Sequence, residues 1–151
     1  MKHSLRGVLC LTVFAAAAFA DTRLADIRTH ADEVQKRSEQ IGVLLKAKQP
    51  DAQAIREGIT AMGGNIENLQ RLVVELTAAN PQFVQRGDKD WDLLKQKVQL
   101  LSVFHSSKGE LMKAEDLKKN RSLLRAHAKG LAVRAERLQE TAQRLQNQLQ
   151  G

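Results

Sequence analysis

The chain has 151 residues, a formal net charge of +7 and one cysteine. That length suits one domain with its own core, and a single cysteine excludes an internal disulfide framework and a multi-thiolate metal site. The charge is uneven, since residues 21–92 hold ten Lys or Arg and twelve Asp or Glu, whereas residues 93–151 hold twelve and five. Such asymmetry indicates a surface for acidic partners.

Residues 1–20 have the composition of a secretory signal peptide. Lys2 and Arg6 give a positive start, an apolar run follows over residues 8–18, and Ala18-Phe19-Ala20 is a small-x-small cleavage site. We predict cleavage after Ala20, leaving residues 21–151 as a single helical-bundle domain with no transmembrane segment. Cys10 lies inside the signal, so the mature domain must be held by its core. Export without disulfides indicates the bacterial periplasm, with extracellular secretion as the alternative.

Apolar residues at alternating spacings of three and four predict two helices, joined by a short turn at Gln49-Pro50. Asp21 or Thr22 is expected to cap the first helix, and Pro50 to lie in the first turn of the second. Asn80-Pro81 is expected to end the second helix. The first stripe is Leu24, Ile27, Ala31, Val34, Ser38, Ile41 and Leu45. The second is Ala52, Ile55, Ile59, Met62, Ile66, Leu69, Val73 and Leu76.

A third helix is expected to begin at Asp88, an effective N-cap residue. Its stripe is Trp91, Leu94, Val98 and Leu101, widened by Leu93, Leu100 and Phe104. The turn that follows has two interpretations. Either Gly109 ends the third helix, or Ser107 and Glu110 form a capping box for the fourth.

Leucines seven residues apart predict a long fourth helix over residues 117–149, about 50 Å in length. They are Leu117, Leu124, Leu131, Leu138 and Leu145, with Ala128, Ala135 and Ala142 between them. Four helices with short turns and a seven-residue period predict an all-α, up-down-up-down four-helix bundle with a long C-terminal helix. Left-handed crossing near 20° is the expected packing.

A basic run without acids begins the fourth helix. Its candidate face for an anionic partner is formed by Lys118, Lys119, Arg125 and Lys129. An anionic lipid, a polysaccharide or an acidic envelope protein fits that charge. Nucleic acid is not expected, because the signal peptide indicates export and the basic residues overlap the leucine repeat instead of preceding it. An ordinary solvated helix face is the alternative interpretation.

The fourth helix is about twice as long as the third, so its C-terminal part is expected to lose one neighbour. The residues affected are Leu131, Leu138, Leu145 and Leu149. Unless the first two helices cover them, this association stripe would stand in water. It would then favour a homodimer or partner docking.

The sequence does not favour a haem or metal site inside the bundle. The predicted bundle resembles the architecture of cytochrome b562, where a Met of the first helix and a His of the last hold haem. Here the first mature helix has no Met and the last has no His beyond His127, so Met62 is interpreted as core filler. No two histidines lie three or four residues apart, so no metal site is predicted.

No catalytic motif stands out in the chain. The hypothesis is therefore a non-enzymatic exported protein that acts as a binding, scaffold or accessory module through its helix surfaces, with no cofactor. The alternative is a cytochrome b562-like bundle that holds haem or another small ligand in its core.

Overall fold

The computed structural model describes residues 5–82, 87–107 and 117–150, with side chains from residue 19 onward except those of Asp21 and Lys118. This part of the chain contains four helices and no strand: α1 Leu5–Leu44, α2 Ala52–Ala79, α3 Lys89–Ser106 and α4 Leu117–Gln150. The predicted all-α class is confirmed, and the contacts among the helices form a bundle. Within the described residues, no helix is both long and apolar enough to cross a membrane. The turn predicted around Gly109 lies outside the described residues.

Side-chain caps determine where α2 and α3 begin. Asp51 accepts hydrogen bonds from two backbone amides at 3.0 Å each, and Asp88 accepts from two at 2.9 and 3.1 Å. The first amides of a helix have no partner within it, so these carboxylates stabilise both starts. Asp88 is thus confirmed as an N-cap. Pro50, however, precedes the N-cap Asp51 and does not lie in the first turn.

The end of α2 agrees with the prediction from the sequence, whereas the start of α1 differs from it. Asn80 is the C-cap of α2 and its backbone N–H donates to the carbonyl of Leu76, as the Asn80-Pro81 pair predicts. α1 is continuous from Leu5, so Asp21 and Thr22 lie inside it and not at its start. Residues 8–18 contain no Gly or Pro that would end a helix, which explains the difference.

The predicted stripes form the core. All members of the α1 stripe are buried, and in α2 only Ala52 and Ile59 are partly exposed. Leu72, missed by the pattern, is also buried. The widening of the α3 stripe was wrong for Leu93 and Leu100, which are exposed. They lie about 100° around the helix from the buried positions, on a side that no neighbour covers fully.

α1 lies against α2 and α4, and α3 lies mainly against α4. Arg28 donates to the side chain of Gln146 at 3.0 Å, and Gln139 donates to that of Gln35 at 2.8 Å. α1 therefore accompanies the C-terminal part of α4, the region that the shorter α3 was expected to leave bare.

This packing corrects the premise of the association stripe. Leu131, Leu138 and Leu145 are 0%, 0% and 1% exposed, and Leu149 is partly buried against the same core. The stripe is interior because α1 covers it. Leu131, Leu138 and Leu145 therefore pack against the other helices of this chain and offer no surface to a second molecule.

Candidate binding surfaces

The C-terminal end of α1 and the N-terminal end of α4 meet at one end of the bundle. The guanidinium of Arg121 donates to the carbonyl oxygen of Lys48 at 3.3 Å. Residues 46–51 and 117–129, which this contact joins, contain seven Lys or Arg and one acid, Asp51. We call the seven the basic end: Lys46, Lys48, Lys118, Lys119, Arg121, Arg125 and Lys129.

Three of the four residues of the predicted anionic-partner face are accessible to solvent. Lys119, Arg125 and Lys129 are exposed, whereas the side chain of Lys118 lies outside the described part. Sequence reasoning missed Lys46 and Lys48 as members of this surface. Lys48 is 73 residues from Arg121 in the chain, so only the fold brings the two segments together. The available signal was the pair of cations just after α1.

Four cations of the basic end stand outside the ion pairs of the described residues. Within the described part of the chain, no ion pair includes Lys46, Lys48, Arg125 or Lys129. Like charges within about 10 Å of one another add their potentials at 0.1 M salt, since that distance is the Debye length. Cations that lie so close together would favour anions at low salt.

A groove of about 750 Å³ lies between α1 and α4 beside the basic end. Its lining is small or apolar in the middle, at Gly42, Val43, Ala132 and Val133. Charged residues occupy its two ends, with Lys46, Arg125 and Lys129 at one and Glu39 and Glu136 at the other. The groove thus has a neutral centre and ends of opposite charge.

A second groove, of about 1050 Å³, lies between α2 and α3. Val74 and Leu100 stand exposed on its lining, with Gln70, Gln96 and Gln99 around them. Its lining carries little charge, only Asp92 and Lys95.

An aromatic cluster packs the C-terminal part of α3 against α4. Phe104 stacks on His127 with ring centroids 4.7 Å apart and an angle of 27° between the planes. The guanidinium carbon of Arg134 lies 3.7 Å from the centroid of the Phe104 ring. His127 is buried at 4% exposure, so its contacts here belong to the packing of the bundle.

Met62 and the histidines outside the aromatic cluster have separate neighbours. The sulfur of Met62 lies 3.0 Å from the Ser38 hydroxyl, and Nδ1 of His30 lies 2.8 Å from the side-chain oxygen of Asn65. His105 lies beside Gly63 and its burial lowers its pKa. Among the described residues, no three or more His, Cys, Asp or Glu side chains are grouped as a metal site would require.

Buried hydroxyl and amide groups serve the helix backbone. Ser38 donates to the carbonyl of Val34 at 2.7 Å, Asn80 to that of Leu76 at 3.0 Å, and Thr141 to the carbonyl four residues before it at 3.1 Å. Lys97 donates to the Thr141 hydroxyl at 2.7 Å. These bonds satisfy polar groups that burial would otherwise leave costly.

No protein family matches the chain, and no curated protein or solved structure is significantly similar to it. Its function is therefore inferred from the geometry of its surfaces.

Proposed function

We propose that the chain is a non-enzymatic, exported binding or scaffold module that recognises an anionic component of the bacterial cell envelope through its basic end. The observation that carries this proposal is the Arg121–Lys48 contact, which gathers seven cations from two distant segments. Clustered cations attract lipid headgroups, acidic polysaccharides and acidic protein segments by the same Coulomb force.

The proposed architecture is an up-down-up-down bundle. Its support is the order of contacts along α1 and α4, where Arg28 meets Gln146 and Lys48 meets Arg121. With this order, the short link between α1 and α2 and the start of α4 share one end of the bundle. The cations would then form one continuous patch.

Export is proposed from the first 20 residues. Of the side chains that the structure describes, cleavage after Ala20 would remove only Phe19 and Ala20, and the α1 stripe from Leu24 onward would stay whole. The periplasm is the proposed compartment. Sequencing the N-terminus of the protein recovered from the periplasm tests this point. An N-terminus at Asp21 is expected, whereas recovery of the uncleaved chain from the cytoplasm alone contradicts it.

Binding is tested with three anionic probes: vesicles of phosphatidylcholine with phosphatidylglycerol, lipopolysaccharide, and polyglutamate. Vesicles of phosphatidylcholine alone are the neutral control. At least one anionic probe should bind at about 0.1 M salt and be released at about 1 M, because the Debye length falls from about 10 Å to about 3 Å.

Failure of all three probes at low salt, or binding that is indifferent to salt, contradicts the proposed function. A Soret band in protein purified from its native source would instead favour the haem-binding alternative.

A further inference from the structure

The groove between α1 and α4 has a charge pattern that repeats on both helices. The Gln139–Gln35 hydrogen bond shows which residues of α1 and α4 lie at the same height along the bundle. Gly42, seven residues after Gln35, is therefore level with Ala132, seven residues before Gln139. Both residues line the neutral centre of the groove.

The charged residues are placed symmetrically about that level. On α1, the midpoint between Glu39 and Lys46 falls between residues 42 and 43. On α4, the midpoint between Lys129 and Glu136 falls between residues 132 and 133. The two cations lie toward the basic end and the two acids toward the other, so both helices change sign at the same height.

All four of these side chains are exposed. None of them takes part in an ion pair among the described residues. Their charges are thus available to a molecule that carries the opposite order of charge along its length. The chain itself has that order when it is turned end for end.

We propose that this face binds a second copy of the chain about a two-fold axis. The axis crosses α1 between Gly42 and Val43 and α4 between Ala132 and Val133. Each helix then packs antiparallel on its own counterpart. A two-fold interface pairs residue i with residue j and j with i. Lys129 of each copy therefore faces Glu136 of the other, and Glu39 faces Lys46.

The centre of the face suits this contact. Gly42 and Ala132 are small and let helices approach closely, and Val43 is an exposed apolar residue that becomes covered near the axis. The apolar contact is limited, and exposed ion pairs contribute little each. The dimer is therefore weak and sensitive to salt.

This inference is independent of the proposed function, although Lys46, Arg125 and Lys129 belong to both surfaces. In the antiparallel dimer the two basic ends lie at opposite ends of the assembly. Lys48, Lys119 and Arg121 stay outside the contact on each copy. A double variant that exchanges Lys129 and Glu136 leaves the net charge and these outer cations unchanged. The dimer and the anion-binding site can therefore be tested separately.

The test is sedimentation equilibrium of the purified protein in low salt with charge-reversal variants. Lys129→Glu places acid against acid and Glu136→Lys places cation against cation, so each variant alone should be monomeric. An equimolar mixture of the two should dimerise, because each contact then joins opposite charges. The double variant Lys129→Glu/Glu136→Lys should also dimerise. Lys89→Glu and Glu67→Lys are the matched controls on other exposed sites and should associate like the parent.

Circular dichroism confirms that each variant is folded. A parent protein that stays monomeric at about 1 mM, where even a weak dimer is populated, overturns the inference. So does dimerisation of the single variants, or a mixture that stays monomeric.

Discussion

Phe104 occupies the space that a side chain at Gly130 would need, since a Cβ atom there would lie 2.8 Å from Cζ of the ring. The ring is held by its stacking on His127 and by the guanidinium of Arg134. α3 and α4 are thus packed closely at this level because residue 130 has no side chain.

Replacing Gly130 by Ala is expected to destabilise the protein by about 1–3 kcal/mol, as for other overpacked sites. Helix propensity alone would favour alanine by about 1 kcal/mol, so the sign of the change separates the two effects. Gly64→Ala is the control, because a Cβ there meets nothing within 4 Å. Urea unfolding should show Gly64→Ala stabilised and Gly130→Ala destabilised. Equal gains at both sites would show that Phe104 gives way freely.

The central leucines of the stripes should be costly to truncate. Leu69 and Leu131 are both 0% exposed, as their positions in the pattern predict. Their replacement by Ala should cost about 2–5 kcal/mol each in the free energy of unfolding. Leu123→Ala on α4 is the matched control, since that residue is 54% exposed. If Leu131→Ala lowered the free energy of unfolding no more than Leu123→Ala does, the result would contradict the packing of α4.

Leu138→Glu should unfold the protein or lower its melting temperature strongly. The residue is 0% exposed beneath α1, and a carboxylate there would be buried without a partner. An uncovered stripe would instead predict a folded variant with weakened association. Circular dichroism with light scattering distinguishes the two outcomes, and a folded Leu138→Glu protein would contradict the burial by α1.

Stability should fall in acid partly through His105. Burial disfavours its imidazolium form, so the folded pKa lies below the ordinary value of 6.5. The unfolded chain therefore binds more protons below that pH, and the contribution is full above 6.5 and lost as the pH falls.

His105→Gln removes this titration. Between about pH 7.5 and 5.5 its urea midpoint should decrease less than that of the parent protein. The same decrease in both proteins would place the pH dependence on other groups. The control is the same measurement on His30→Gln, which replaces a histidine that is hydrogen-bonded to Asn65.

Periodicity predicted most of the core because heptad spacing decides which face of a helix turns inward. It could not show which helices pack against each other. Leu138 was expected to lie beyond the end of the short α3, and only the assembled fold shows that α1 packs there. The basic run of α4 was readable from sequence. Its junction with Lys48 was not, because Arg121 and Lys48 are distant in the chain. The match between the charges of α1 and α4 depends on the level set by the Gln139–Gln35 bond.

The most direct test of the proposed function compares two variants that each lose four cations. The measurement is their affinity for whichever of the three anionic probes the parent protein binds most tightly. One variant changes the predicted face to glutamine, at Lys118, Lys119, Arg125 and Lys129. The other changes four cations outside the basic end, at Lys36, Arg71, Lys89 and Arg137. Both variants lose the same charge, and all described members are exposed. The second variant also loses the surface ion pairs of Lys36 with Asp32 and of Arg71 with Glu75, which contribute little each, so both melting temperatures should stay close to that of the parent. The account predicts that the first variant loses binding and the second keeps it. Equal loss in both, or no loss in either, would contradict a binding site at the basic end.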